Sequence, residues 1–119
     1  MGFNDEFRER TKKFALRIIK LCHTLQREDI SRTIGKQLLR SGTSVGANFR
    51  SATRARSKKE FISKLSIALE EADESIYWME LLIESGTIKK PKLIPLINEA
   101  LELTKIIAVS LKTSKQNLN

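Results

Sequence analysis

The sequence predicts an all-α protein, an antiparallel up-down-up-down four-helix bundle formed by residues 1–119 as one domain. Apolar residues recur at steps of three and four over most of the chain, which is the helical period. The 119 residues include only two prolines and five glycines, so few positions interrupt a helix. The segments between the apolar patterns are short, and short connections favour antiparallel neighbours.

The first helix is expected to run from about residue 5 to about residue 26, with Asn4 or Asp5 as its N-cap. Its predicted core stripe consists of Phe7, Thr11, Phe14, Ile18, Leu21, Cys22 and Leu25. A neighbouring stripe carries basic residues, including Arg10, Lys13 and Arg17. The connection that follows brings the chain to Ser31, which suits the N-cap of the second helix.

The second helix is predicted over residues 31–56, although Gly35, Gly42 and Gly46 each cost helix stability. Two stripes continue through these glycines at the helical period, which favours one long helix over a loop. The predicted core stripe consists of Ile34, Leu38, Ser41, Val45, Phe49 and Ala52. Small side chains on both flanks would let other helices approach closely.

The third helix is predicted over residues 58–84, because Ser57 and Glu60 have the spacing of a capping box. Its predicted core stripe consists of Phe61, Leu65, Leu69, Ala72, Ile76, Met79 and Ile83. Another face also carries apolar residues, among them Ile67, Trp78 and Leu81. A helix that is apolar on two sides is buried on two sides, so we expect a homo-oligomer.

The fourth helix is predicted over residues 92–113. Gly86 suits the left-handed position that ends the third helix, and Pro91 suits the first turn of the fourth. The predicted core stripe consists of Leu93, Leu96, Ile97, Ala100, Leu103, Ile107 and Leu111. Residues 112–119 are polar and are expected to fray.

The formal net charge is +8, and all of the excess lies in the first half of the chain. Residues 1–56 contain 13 basic and 5 acidic side chains, whereas residues 57–119 contain nine of each. A single cysteine, an early run of charged residues and the absence of a long apolar stretch predict a cytoplasmic protein without signal peptide or membrane span. The localised positive charge predicts a polyanionic partner.

We therefore predict a non-enzymatic, basic, oligomeric nucleic-acid-binding adaptor whose partner is RNA or DNA. Its predicted binding residues are Arg32, Lys36, Arg40, Arg50 and Arg54 on the second helix, with Arg10, Lys13 and Arg17 on the first. In the alternative, the arginines pair with third-helix carboxylates of a neighbouring subunit. The protein would then be an interaction scaffold for a larger enzyme.

The predicted oligomer interface consists of Ile67, Glu71, Glu74, Tyr77, Trp78, Leu81, Gly42 and Gly46. The carboxylate pair Glu71 and Glu74 is spaced as in metal-binding bundles, but such sites also need histidines at i, i+3, so no metal or cofactor is predicted. The adjacent Cys22 and His23 would point about 100° apart on a helix and form no nucleophile–base pair. No catalytic residue is predicted.

The run RSGTSVGANFRSATRARSKKEFISKLSIALEEADESIYWMELL, from Arg40 to Leu82, resembles the bacterial four-helix-bundle proteins encoded in intervening sequences of 23S ribosomal RNA genes. It is also similar to the accessory variability proteins of diversity-generating retroelements. The likeness extends from about Phe7 to Leu111 and implies a homopentamer with a basic surface. In the retroelement branch it implies a reverse transcriptase partner. Many members carry Glu-Gly where this chain has Ser51-Ala52, which places it in a subgroup without an assigned role.

Overall fold

The computed structural model describes residues 2–117, which form four α-helices and no strand. The helices are α1 (Phe3–His23), α2 (Asp29–Thr53), α3 (Lys58–Glu84) and α4 (Lys90–Gln116). Together they form an elongated body of 49 × 25 × 20 Å. The all-α fold and the four predicted helices are confirmed. No helix in residues 2–117 is long and apolar enough to cross a membrane.

Each helix packs against the next in the chain, and α1 also contacts α4. One continuous core lies between them and includes Phe14, Leu38, Leu65 and Leu103, each almost completely buried. The core stripes predicted for α1, α2 and α4 are buried, except that Leu21 and Ile34 are half-buried. The helical period alone therefore located the interior faces of these three helices.

The core face of α3 lies slightly to one side of the predicted stripe. Ala68, Ser75 and Leu82 are fully buried, although the sequence analysis did not place them in the core. The predicted core residues Phe61, Leu69 and Ile83 are only half-buried. The reason is the close packing of α3 against α2, which buries the flank of α3 that carries Ser75.

Some of the predicted helix caps are observed in the structure and others are not. At the start of α3, the backbone N–H of Glu60 donates to Ser57 Oγ at 3.1 Å, and the Glu60 carboxylate accepts from the backbone N–H of Arg56 at 3.1 Å. This confirms Ser57 as the N-cap, while Glu60 reaches back to Arg56, one residue before the N–H expected in a capping box. Gly86 has φ +79°, the predicted left-handed conformation after α3.

Two predicted starts are wrong. α1 begins at Phe3 after Gly2, so Asn4 and Asp5 lie inside its first turn. There the Asp5 carboxylate lies near the positive end of the helix dipole. α2 begins at Asp29, so Ser31 is a buried first-turn residue instead of the N-cap.

The end of α4 also differs from the expectation of a frayed tail. The helix continues to Gln116, and Ser114 is buried against the bundle. The last two residues of the predicted polar end, 118 and 119, lie outside the described residues.

The small residues of α2 bring two neighbouring helices close to it. A Cβ on Gly42 would lie 2.8 Å from Ile18 Cγ1, and one on Gly46 would lie 3.1 Å from Thr11 Oγ1. On the other flank, the buried hydroxyls of Ser41 and Ser75 are 3.0 Å apart and join α2 to α3. α2 therefore packs against α1 on its glycine flank and against α3 on its serine flank.

Candidate nucleic-acid interface

The predicted basic stripe lies on the outer face of α2, opposite the core. The side chains of Lys36, Arg40, Arg50 and Arg54 are exposed, and Arg32 is half-buried. Arg54 is the residue that immediately follows the helix. The uninterrupted helix holds these positions in one row, as the sequence predicted. They differ, however, in what their charged groups contact.

Arg40 is bound by two carboxylates of α3 in the same chain. Its guanidinium donates to both carboxylate oxygens of Glu71, at 3.0 and 3.2 Å, and also to Glu74. The hydrogen bond to Glu71 raises the pKa of Arg40, and a small desolvation of the guanidinium opposes this rise. The alternative prediction from the sequence was that the arginines pair with carboxylates of a neighbouring subunit. In the structure, Arg40 pairs with carboxylates of its own chain.

Arg10 has a similar contact with α4. Its Nε and Nη2 donate to the two carboxylate oxygens of Glu99 at 2.9 and 2.8 Å, which is a bidentate ion pair. The hydrogen bond to Glu99 raises the pKa of Arg10, and the nearby charge of Glu102 adds to this effect. This ion pair joins α1 to α4. Its basic neighbours Lys13 and Arg17 are exposed.

Arg32 is occupied at the start of α2. It forms an ion pair with Asp29, one turn earlier, and donates to the backbone carbonyl of Gln26 at 3.1 Å. These contacts join the first turn of α2 to the preceding connection. Of the eight predicted binding residues, three are therefore bound by acidic side chains of their own chain.

The remaining five carry charge that the chain does not neutralise. Across residues 2–117, these five form no ion pair: Lys36, Arg50, Arg54, Lys13 and Arg17. Exposed cations without an acidic partner are the groups that can neutralise phosphates. On α2, the cations without an acidic partner are therefore Lys36, before Arg40, and Arg50 and Arg54, near the carboxyl-terminal end of the helix.

A groove between α1 and α2 adds basic residues that sequence reasoning missed. Arg8 and Lys12 of α1 lie beside Arg50 of α2 around a cavity of ≈ 380 Å³. The sequence analysis chose Arg10, Lys13 and Arg17, which follow the other flank of α1. The glycines on one flank of α2 were the available sequence signal for this groove, because they mark the side of α2 that another helix approaches. They do not show which residues of α1 lie there.

The residues predicted at an oligomer interface have different surroundings. Gly42 and Gly46 contact α1 of the same chain, so their small size serves packing within the chain. Glu71 and Glu74 bind Arg40. The apolar members divide as follows: Ile67, Trp78 and Leu81 are half-buried, and Tyr77 is exposed.

Trp78 packs against the core, and its indole N–H forms no hydrogen bond within residues 2–117. Its ring packs against the hydrophobic core and meets Tyr77 edge-to-face, with 5.2 Å between ring centroids. The indole Nε1 is buried and has no hydrogen-bond partner within residues 2–117. A buried N–H without an acceptor is costly, so this atom marks a position where an added acceptor would be favourable.

The described residues contain no cluster of three or more metal-ligating side chains. Cys22 is buried and its Sγ lies 3.3 Å from the Gly35 carbonyl oxygen, to which it donates. Burial raises the pKa of this thiol to about 11. The neighbouring His23 is exposed. Cys22 is therefore a packing residue that remains protonated at neutral pH.

The fold and this surface define a class of small all-α proteins with four helices and a basic outer face on the second helix. The sequence model of the 23S rRNA-intervening sequence protein family matches residues 4–109. This chain belongs to that family, as the resemblance predicted.

A solved structure supports the same assignment. It is a protein of unknown function from the S23 ribosomal protein family of Bacteroides thetaiotaomicron, and it is 41% identical to this chain. The match covers 88% of this chain and 97% of that one, with a TM-score of 0.84. The comparison with curated proteins gives no match.

Proposed function

We propose that this protein is a non-enzymatic, oligomeric adaptor that binds RNA or DNA through the outer face of α2. The observation that carries the proposal is the set of exposed, unpaired cations at Lys36, Arg50 and Arg54. From Lys36 to Arg54 the helix rises about 27 Å at 1.5 Å per residue, which is about three-quarters of one turn of duplex. Cations in such a row contact the phosphate backbone and not particular bases.

The proposal assigns different roles to the predicted binding residues. Lys36, Arg50 and Arg54 contact phosphates directly, and Lys13 and Arg17 supply a second basic area on α1. Arg10, Arg32 and Arg40 hold neighbouring segments together, because carboxylates already occupy their guanidinium groups. Their charge is largely neutralised locally, so they contribute less to binding.

We further propose an antiparallel, up-down-up-down bundle. The order of the close approaches between α1 and α2 supports this topology. Gly35 lies next to Leu25, Gly42 next to Ile18 and Gly46 next to Thr11. Residue numbers therefore rise along α2 as they fall along α1.

The proposed oligomer uses one side of α3, where Ile67 and Leu81 are only half-buried and Tyr77 is exposed. The Trp78 N–H, which has no hydrogen-bond partner within residues 2–117, lies in the same region. The family resemblance implies five subunits. A ring of this kind would repeat the basic face of α2 around its circumference, so that one polyanion could contact several subunits.

The second candidate is a protein-interaction scaffold for a larger enzyme, such as a reverse transcriptase. The pairing of Arg40 with Glu71 and Glu74 leaves less charge on α2 for a polyanion, which is the observation that keeps this candidate. Retention of a protein partner after nuclease treatment would support this candidate. Loss of the partner with the nucleic acid would support the adaptor.

Charge reversal tests the proposal. The variant Lys36→Glu/Arg50→Glu/Arg54→Glu is expected to abolish RNA and DNA binding and to keep the mass measured by light scattering. The matched control is Lys105→Glu/Lys112→Glu/Lys115→Glu, which makes the same charge change at exposed positions of α4. If both triple variants weaken binding equally, net charge alone is responsible and the α2 site is refuted. If the first variant dissociates the oligomer, the stripe belongs to the subunit interface.

A further inference from the structure

The groove between α1 and α2 shares Arg50 with the row of cations on the outer face of α2, and its other residues are different. It has a volume of ≈ 380 Å³ and is open to solvent along one side. Its charged lining residues are Arg8, Glu9 and Lys12 from α1 and Arg50 from α2, and its hydroxyl groups are those of Thr11 and Thr43. Three of these residues are basic and one is acidic, so the groove is positively charged.

The cations of the groove have few partners of their own. Within residues 2–117, Lys12 and Arg50 form no ion pair. Arg8 has one long contact, 3.6 Å from its Nη2 to the Asp5 carboxylate, which lies in the same helix. The groove therefore carries positive charge that Glu9 alone does not balance.

Arg8, which lines the groove, has one donor that is both buried and unused. The Nε of Arg8 has almost no solvent exposure and no hydrogen-bond partner in the described chain. Guanidinium N–H groups in such positions require an acceptor, and a charged acceptor gives the strongest hydrogen bond. The fork geometry of arginine matches the oxygens of a phosphate.

The hydroxyl groups of the groove do not compete for this role. Thr11 Oγ1 donates to the Arg8 carbonyl at 3.0 Å, and Thr43 Oγ1 donates to the Leu39 carbonyl at 2.7 Å. Both protons are thus used within the helices. The donors left for a ligand are the charged groups of Arg8, Lys12 and Arg50.

We propose that this groove is a phosphate-binding site formed by Arg8, Lys12 and Arg50. Its volume corresponds to roughly ten water molecules, which is enough for a phosphate and an attached sugar. No aromatic ring lines it, so it offers no platform for stacking a base. The source of the phosphate is the backbone of RNA or DNA, and this assignment of the source rests on the proposed function.

The site is tested by NMR on ¹⁵N-labelled protein, by following the arginine Nε–H signals during titration with inorganic phosphate. Titration with chloride to the same ionic strength is the control. The Arg8 signal is expected to shift and saturate with phosphate only. The variant Lys12→Gln/Arg50→Gln is expected to weaken phosphate binding about tenfold or more, because it removes two of the three cations of the site.

The matched control variant is Lys105→Gln/Lys112→Gln, which removes the same charge from α4 and is expected to bind phosphate normally. An Arg8 signal that does not respond to phosphate, or equal weakening in both variants, would overturn the site. A second titration uses a short RNA. If phosphate shifts the Arg8 signal and RNA does not bind, the site stands and its nucleic-acid source is refuted. If RNA binds without moving Arg8, the proposed function stands and the groove is not the site.

Discussion

A Cβ atom on Gly42 would lie 2.8 Å from Cγ1 and 2.9 Å from Cγ2 of Ile18, closer than side chains pack. Ile18 is completely buried, so it cannot move aside easily. This contact sets the distance between α1 and α2. It also shapes the groove next to it, because Arg8 and Lys12 are carried by α1 and Arg50 by α2.

The first prediction concerns this contact. Gly42→Ala is expected to lower the free energy of unfolding by about 1–3 kcal/mol, because overpacking exceeds the gain in helix propensity. Urea denaturation followed by circular dichroism measures the change. Gly35→Ala is the matched control, since its Cβ would lie 3.4 Å from Leu25, an ordinary contact. It is expected to be neutral or stabilising, and equal destabilisation of both variants would contradict the account.

The second prediction concerns the thiol of Cys22, whose pKa burial raises to about 11. The thiol is expected to react with a disulfide reagent at pH 8 only at the rate at which the protein opens. Because its folded-state pKa lies above that of the unfolded chain, the thiol stabilises the fold fully below the unfolded pKa, near 9. This contribution is lost as the pH rises toward about 11.

Cys22→Ala is the comparison for this second prediction. It is expected to flatten the fall in unfolding free energy over the same alkaline range. Fast modification of the folded protein at pH 8 would show that the thiol is accessible, and an identical alkaline profile in the variant would show that folding does not raise its pKa.

The third prediction concerns the subunit contact on α3. Trp78→Glu is expected to give a smaller species by light scattering, because a charge would replace a ring at the proposed interface. Trp78 also packs on the core, so the substitution alone can unfold the chain. Leu81→Lys avoids this problem, since Leu81 is half-buried in the same region and is not packed on the core. A folded Leu81→Lys variant of unchanged mass would argue against this interface.

The fourth prediction separates paired from free arginines. Arg50→Gln is expected to weaken nucleic-acid binding more than Arg40→Gln, because Arg40 is already bound to Glu71 and Glu74. Arg40→Gln is expected to change the free energy of unfolding by less than about 1 kcal/mol, as for other exposed ion pairs. Anisotropy and urea titrations of both variants provide the comparison. Equal losses of binding would mean that the ion pairs of Arg40 open when nucleic acid binds.

Local chemistry allowed much of the fold to be predicted from the sequence. Ser57 and Glu60 fixed the start of α3, and Gly86 fixed its end, because each has a specific backbone role. The start of α1 was missed because Gly2 carries no side chain that signals a cap. Periodicity likewise located three core faces but not the side of α3 that turns toward α2.

The candidate site was less predictable, because it depends on how the helices align. Periodicity placed Arg40 and Arg50 on one face of α2, but it could not show that Arg40 lies opposite Glu71 and Glu74. Partners 31 and 34 residues apart meet only after the register of α2 and α3 is known. Arg8 and Lys12 were missed for a related reason, since the side of α1 that faces α2 is set by packing.

The most direct test of nucleic-acid binding is a fluorescence anisotropy titration of labelled duplex DNA and single-stranded RNA over a salt series. If Lys36, Arg50 and Arg54 neutralise phosphates, the logarithm of the binding constant for duplex DNA falls with the logarithm of salt concentration. Three contacts by one subunit give a slope of about −3, and further subunits make it steeper. Absence of binding at low salt, or binding that salt does not weaken, would contradict the proposal.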